Sequence, residues 1–248
     1  MSQESDVSPV TLVTDGSHRE AAIEVTNLAR RFGASWVLRG INFTVAPREV
    51  VGLLGANGSG QSTLLRIIAT LLRPHVGGVQ VCGHDVVRDA HRVRSLIGYL
   101  AHSPGLYEDL SARENLEFVA RMLDRDAEEV DPALAQVGLL SVAHRQVRGM
   151  SAGMQRRLAF ARLMLVRPRL LLLDEPYSNL DTDGIALVNE LIAEWIDEGA
   201  AALVVLHEIA PAVRLLDRTV ELLDGRISLA STFRDTSPAP VSLNMSAR

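Results

Sequence analysis

Apolar residues in this chain of 248 residues fall into short continuous runs near both ends and into helical spacing between them. Ala22 to Asn27, Ile41 to Val45 and Val50 to Leu54 are β-prone, with Pro47, Arg48 and Glu49 as the turn between the second and third. The third run is continuous rather than alternating, as in a strand buried on both faces of a parallel sheet under helices. From Ser62 the spacing becomes helical, with Leu64, Leu65, Ile67, Ile68, Leu71 and Leu72 on the apolar side and Pro74 as its stop. Between about Arg88 and Arg167 strand signals are few. Ser111 to Leu123 and Asp131 to Leu139 have helical spacing and charged faces, which predicts a helical subdomain inserted in a sheet domain. Leu170 to Leu173 then reads as a buried strand ending in acid, Asp183 to Glu198 as an amphipathic helix, and Ala201 to Leu206 as another apolar run, so the α/β rhythm returns. The polar, acidic residues 1–20 and the Ser- and Pro-rich residues 231–248 read as a disordered extension and a tail, leaving 21–230 as the domain.

Composition narrows the function classes. A hydrophobic content of 47% allows a real core, and a formal net charge of -5 gives no general attraction to nucleic acid or anionic lipid. The single cysteine, Cys82, cannot form an internal disulfide, which fits a reducing compartment. The most apolar stretches are interrupted by Arg162, Arg167, Arg169 and His207, short of the roughly 18 apolar residues of a membrane span. All 25 basic residues are arginine.

The candidate chemistry lies at the ends of the buried runs. Gly55, Ala56, Asn57, Gly58, Ser59, Gly60, Gln61, Ser62 and Thr63 join a buried strand to a helix, and such a loop lets successive backbone N–H groups wrap phosphate oxygens at a positive helix end. It matches a phosphate-binding P-loop except at Gln61, where the pattern requires lysine; taken alone it also reads as a Gly-rich turn. Ser62 would place its hydroxyl on Mg²⁺, while Gln61 offers the terminal phosphates a neutral donor. Downstream, Asp174 and Glu175 follow four leucines at a strand end, where parallel sheets bind ligands. Asp174 suits the Mg²⁺ shell and Glu175 suits polarising a water that attacks the γ-phosphate.

Met150, Ser151, Ala152, Gly153 and Met154, followed by Gln155, Arg156 and Arg157, resemble the signature of ABC ATPases, about twenty residues before the acidic strand. The resemblance runs from about residue 22 to 227. It implies a P-loop ABC ATPase domain of α/β class, with a mainly parallel core sheet, an antiparallel β-subdomain and an inserted helical subdomain of about 88–167. It further implies ATP and Mg²⁺ as cofactors, and a homodimer or heterodimer in which Ser151 and Gly153 of one subunit complete the nucleotide site of the other. An integral-membrane permease is the implied partner, which would hold the chain peripherally on the cytoplasmic face of the membrane. Ala152 and Met154 depart from the family's usual Gly and Gln. Ser178, Asn179, Leu180 and Asp181 resemble the D-loop, with Asp181 at the nucleotide; His207 resembles the switch histidine, and Phe32 the aromatic that stacks on adenine. As isolated residues, His207 and Phe32 also fit structural roles. His102 stands where the family carries a metal-contacting glutamine, and a neutral imidazole can accept from a metal-bound water much as an amide oxygen does. The segment from His102 to Tyr107 and the residues from Asp109 to Leu116 are similar to heme-exporter ATPases of cytochrome c maturation, although drug and antibiotic exporters share much of this pattern. A soluble ABC ATPase acting on DNA or ribosomes would be expected to carry two cassettes or a long insertion, and no nucleic-acid partner is expected here. With Gln61 in the P-loop, a subunit that binds nucleotide and hydrolyses it poorly is also compatible with the transport reading.

Overall fold

The computed structural model describes residues 20–232, so the expected extension and tail lie, but for Glu20, Ser231 and Thr232, outside the described residues. Strand β1 (Ile23–Phe32) turns at Gly33 into β2 (Ser35–Val45), and β3 (Val50–Leu54) leads through the glycine-rich loop to α1 (Gln61–Ile68). Then come β4 (Val76–Val81), β5 (His84–Asp85), α2 (Ala90–Leu96) and β6 (Ile97–Leu100). Helices α3 (Ala112–Met122), α4 (Val130–Gln136) and α5 (Ala152–Val166) precede β7 (Leu170–Asp174), α6 (Thr182–Asp197), β8 (Ala201–Val205), β9 (Arg218–Leu223) and β10 (Arg226–Thr232).

These strands form two sheets. One is antiparallel in the order β2-β1-β4-β5, and the other has the order β10-β9-β3-β8-β7-β6. In the second sheet every neighbouring pair is parallel except the β9–β10 edge. Helices α3, α4 and α5 therefore enter the chain between two adjacent strands of this sheet, and β6, inside the region of helical patterning, belongs to the sheet. α1 stops at Ile68, four residues before the expected Leu72. Thr70 there takes a left-handed backbone (φ 64°), and the N–H groups of Leu71 and Leu72 both close on the Arg66 carbonyl. Leu71 is left exposed.

The continuous apolar runs work by alternation after all, because both faces of the sheet are covered. Leu170 and Leu172 point into a core shared with α1 and the antiparallel sheet, among Leu64, Ile68, Leu38 and Ile41. Leu171 and Leu173 point the other way, into a core with Leu116, Leu134, Leu158 and Phe160 of the inserted helices. All four are fully buried, and each contributes about 1.5–3 kcal/mol from the area removed from water. α3 starts in a capping box: Ser111 Oγ accepts from the Glu114 N–H and the Glu114 carboxylate accepts from the Ser111 N–H. Among the described residues, no helix is long and apolar enough to cross a membrane.

Candidate functional site

Parallel strands β3, β7 and β8 end on one side of the sheet, which gathers the P-loop, the acidic pair and His207 at adjacent strand ends. Gly60 caps α1 in a left-handed conformation, no side chain caps the helix, and its first turn holds no acid. The N–H groups of that turn therefore face outward with the positive end of the helix dipole. Ser59 Oγ is buried yet has no hydrogen-bond partner. An orphaned hydroxyl of this kind calls for a ligand. A Cβ at Gly55 would lie 2.6 Å from the Leu222 carbonyl oxygen and 2.7 Å from Ser59 Oγ, so only glycine keeps the cradle open. These features fit a phosphate group. Ala56, Asn57, Gly58 and Ser59 also line a cleft with Trp36, Val37, Arg39 and the turn Leu223 to Gly225.

Gln61 does not point outward in this structure. Its side chain is buried, and Nε2 donates to the Leu53 carbonyl oxygen at 3.1 Å, under the loop. The next residue, Ser62, donates its hydroxyl to Asp174, which is 2% exposed at the end of β7. Burial raises the Asp174 carboxyl above its ordinary range and the neighbouring Glu175 adds to this, while the Ser62 hydrogen bond works against it. Among the described residues no three His, Cys, Asp or Glu side chains are grouped to hold a metal ion. Asp174 with Ser62 suits Mg²⁺, which commonly takes one or two protein ligands and completes its shell with phosphate oxygens and water.

Glu175 takes a left-handed backbone (φ 51°), an uncommon conformation for glutamate that re-aims its carboxylate away from the strand. His207 Nε2 lies 2.7 Å from Glu175 Oε1, Ser178 Oγ donates to Oε2 at 3.1 Å, and His102 Nδ1 lies 3.3 Å from Oε2. Partial burial acts to raise this carboxyl, but the hydrogen bonds and charges of His207, Ser178 and His102 prevail and hold it below its ordinary value. Glu175 is thus ionised and oriented. His102, expected at the metal, turns its ring to Glu175 and is largely exposed.

The remaining residues picked out in the sequence lie apart. Ser151 caps α5 and accepts from the Met154 N–H at 3.2 Å. Gly153 sits so close to the turn after β7 that a Cβ would lie 2.8 Å from the Asn179 carbonyl oxygen. Among the described residues no hydrogen bond joins Ser151 or Gly153 to the P-loop of the same chain. Asp181 spends its carboxylate capping α6, accepting from Gly184 N–H at 2.8 Å. Phe32 is 47% exposed at the end of β1, outside the cleft lining, with the Arg30 guanidinium 4.8 Å from its ring centroid. Sequence reasoning missed the part of Ser178 at Glu175, and although it quoted Arg156 beside the signature it missed the burial of that side chain against the His102 carbonyl.

A family model described as ABC transporter matches residues 38–178, more than half of the chain. The chain is 36% identical over 217 residues to the daunorubicin resistance ATP-binding protein DrrA3 of Streptomyces coeruleorubidus, covering 86% of this chain and 69% of that protein. It is 44% identical over 185 residues to the cytochrome c biogenesis ATP-binding export protein CcmA of Xanthomonas axonopodis pv. citri, covering 73% of this chain and 86% of that one. A solved structure of the ATP binding subunit of an ABC transporter matches with a TM-score of 0.79 at 29% identity, over 85% of this chain and 90% of the other. With the P-loop, the acidic strand end and the signature helix set out on this fold, the chain belongs to the ABC transporter family and carries its ATP-binding domain.

Proposed function

We propose that this chain hydrolyses ATP between two ATPase subunits and energises a membrane permease that exports heme for cytochrome c maturation. The observation that carries the export assignment is the 44% identity to a CcmA protein, joined to His102 at the position where most of the family has glutamine. The match to DrrA3 covers more of the chain at lower identity, and it supports drug or antibiotic export as the second reading.

The chemistry follows from the residues. N–H groups from Gly58 to Thr63 bind the phosphates, and Ser62 and Asp174 hold the side where Mg²⁺ supplies charge neutralisation. Glu175 is kept ionised and accepts the proton of the attacking water, while His207 and Ser178 fix the orientation of its carboxylate. Ser151 and Gly153 at the start of α5 close the site of the second subunit, because one chain has one P-loop and one signature that do not meet within it. Phe32 stacks on the base, and Asp181 links the two sites. Gln61 carries no charge and has its amide bonded to Leu53, so turnover is slow.

Light scattering after size-exclusion chromatography tests the sandwich: Glu175→Gln should become a dimer with ATP, and a protein that stays monomeric at saturating ATP refutes it. Complementation tests the cargo. The gene, expressed with its neighbouring permease genes in a strain lacking its heme-export ATPase, should restore heme-stained c-type cytochromes, and failure there with gained drug resistance selects the second reading.

A further inference from the structure

Two arginines of α5 leave the helix for one stretch of loop. Arg156, 2% exposed, donates from Nη1 to the Ala101 carbonyl at 3.2 Å and from Nη2 to the His102 carbonyl at 2.9 Å. Arg162 donates to the carbonyls of Gly105 and Pro104, both at 2.9 Å. The last register pair of β6 is Leu100 with Leu173, and residues 102–105 make no backbone ladder bond with the sheet among the described residues. The segment that presents His102 to Glu175 is thus held by α5 and not by the strand it continues. Burial lowers the Arg156 pKa while Glu175 and Asp174 oppose that, which puts the guanidinium in the field of both acids.

The other end of the connection is the signature itself. Ser151 caps α5, and Arg156 follows five residues later, about 7.5 Å along the axis. An α-helix over that length is stiff, so a displacement at its first turn reaches Arg156 undiminished, and two arginine forks on four carbonyls carry it to the loop.

We propose that Arg156 is a positioning residue that makes the His102 segment move as one body with α5, so that docking of the α5 N-terminus on a nucleotide held by a second subunit shifts His102 relative to Glu175, which it faces at 3.3 Å in the single chain. Arg162 is the second point of attachment. This rests on the two-subunit ATPase reading above, and it adds a route by which each site reports to the other.

The test uses the full chain in two arms. Without nucleotide, hydrogen exchange of the Tyr107 amide, the first N–H after the segment that has an acceptor (Asn115 Oδ1, 2.9 Å), should be at least about tenfold faster in Arg156→Met, with Arg156→Lys between it and the parent. In steady-state phosphate release, Arg156→Met should lower kcat at least about fivefold and leave KM for ATP within about twofold, and that penalty should vanish when His102 is already alanine. Unchanged exchange overturns the attachment. An equal penalty in the His102 and His102→Ala backgrounds overturns the positioning role, because a merely structural arginine acts whatever side chain stands at 102. A parent chain that releases no phosphate overturns the ATPase reading instead, and the exchange arm, which needs no nucleotide, still decides the attachment by itself.

Discussion

Gln61→Lys should raise ATP turnover about thirty- to two-thousandfold, and the magnitude follows from where the glutamine is. A lysine in this loop opposes the negative charge redistributed over the phosphoryl oxygens during transfer, and a neutral amide forgoes a charge-assisted bond of about 1.5 to 3 kcal/mol. Gln61 has a second handicap: its Nε2 donates to the Leu53 carbonyl, and leaving that partner costs about 0.5 to 1.5 kcal/mol before any phosphate contact is made. Together these amount to about 2 to 4.5 kcal/mol, and each 1.4 kcal/mol is about tenfold in rate. Nucleotide affinity should change far less, because the N–H groups from Gly58 to Thr63 and the Ser62 hydroxyl remain with either residue. The assay is steady-state phosphate release by the parent, Gln61→Lys and Gln61→Ala, with Glu175→Gln as the inactive control and a binding titration alongside. A parent that is already fast, with Gln61→Lys raising turnover less than about tenfold, would refute the reasoning: either residue 61 then does not act at the phosphates, or an arginine supplies the charge.

Two further substitutions probe how the site is held. Asp174→Asn should abolish turnover yet raise Tm at pH 7.5 in EDTA; the buried Asp174 has a raised pKa, so its ionised form burdens the folded state above that pKa, and the gain should fade as pH drops into the carboxylate range, where folded and unfolded chains are both protonated. A Tm gain independent of pH in differential scanning fluorimetry would count against this account. Gly153→Ala should lower both Tm and turnover, because the new Cβ would lie 2.8 Å from the Asn179 backbone carbonyl oxygen, closer than such atoms pack, so that α5 and the turn after β7 must move apart; unchanged phosphate release would show that the contact between α5 and the turn after β7 has no part in function.

Much of the fold was legible because it rests on local patterns. The uninterrupted run of β3 announced a strand buried on both faces, and the helical spacing from Ser111 announced α3. The P-loop and the acids after β7 stood out by local pattern and position, and the signature cap by its resemblance to the family. What stayed hidden depends on long-range geometry. Gln61 could be located but not aimed, since its partner is the Leu53 carbonyl of the preceding strand. Nothing near Arg156 in sequence points to residues 101 and 102, fifty-odd positions away, and His102 looked like a metal neighbour until the structure turned it to Glu175. The end of α1 was misjudged because Leu71 and Leu72 continue the helical spacing after Thr70 has broken the helix.

The four leucines of β7 serve two cores from one short strand, and this governs how the molecule comes apart. A chain with two separate hydrophobic interiors could melt in two steps, the inserted helices first and the sheet afterwards. Here Leu171 and Leu173 cannot lose their packing without loosening the strand whose other face holds Leu170 and Leu172, and that strand is paired on both sides, with β6 and with β8. The two interiors are thermodynamically one cooperative unit, and Asp174 and Glu175 sit at the seam, so a disturbance in either half reaches the acids as a change in the same strand.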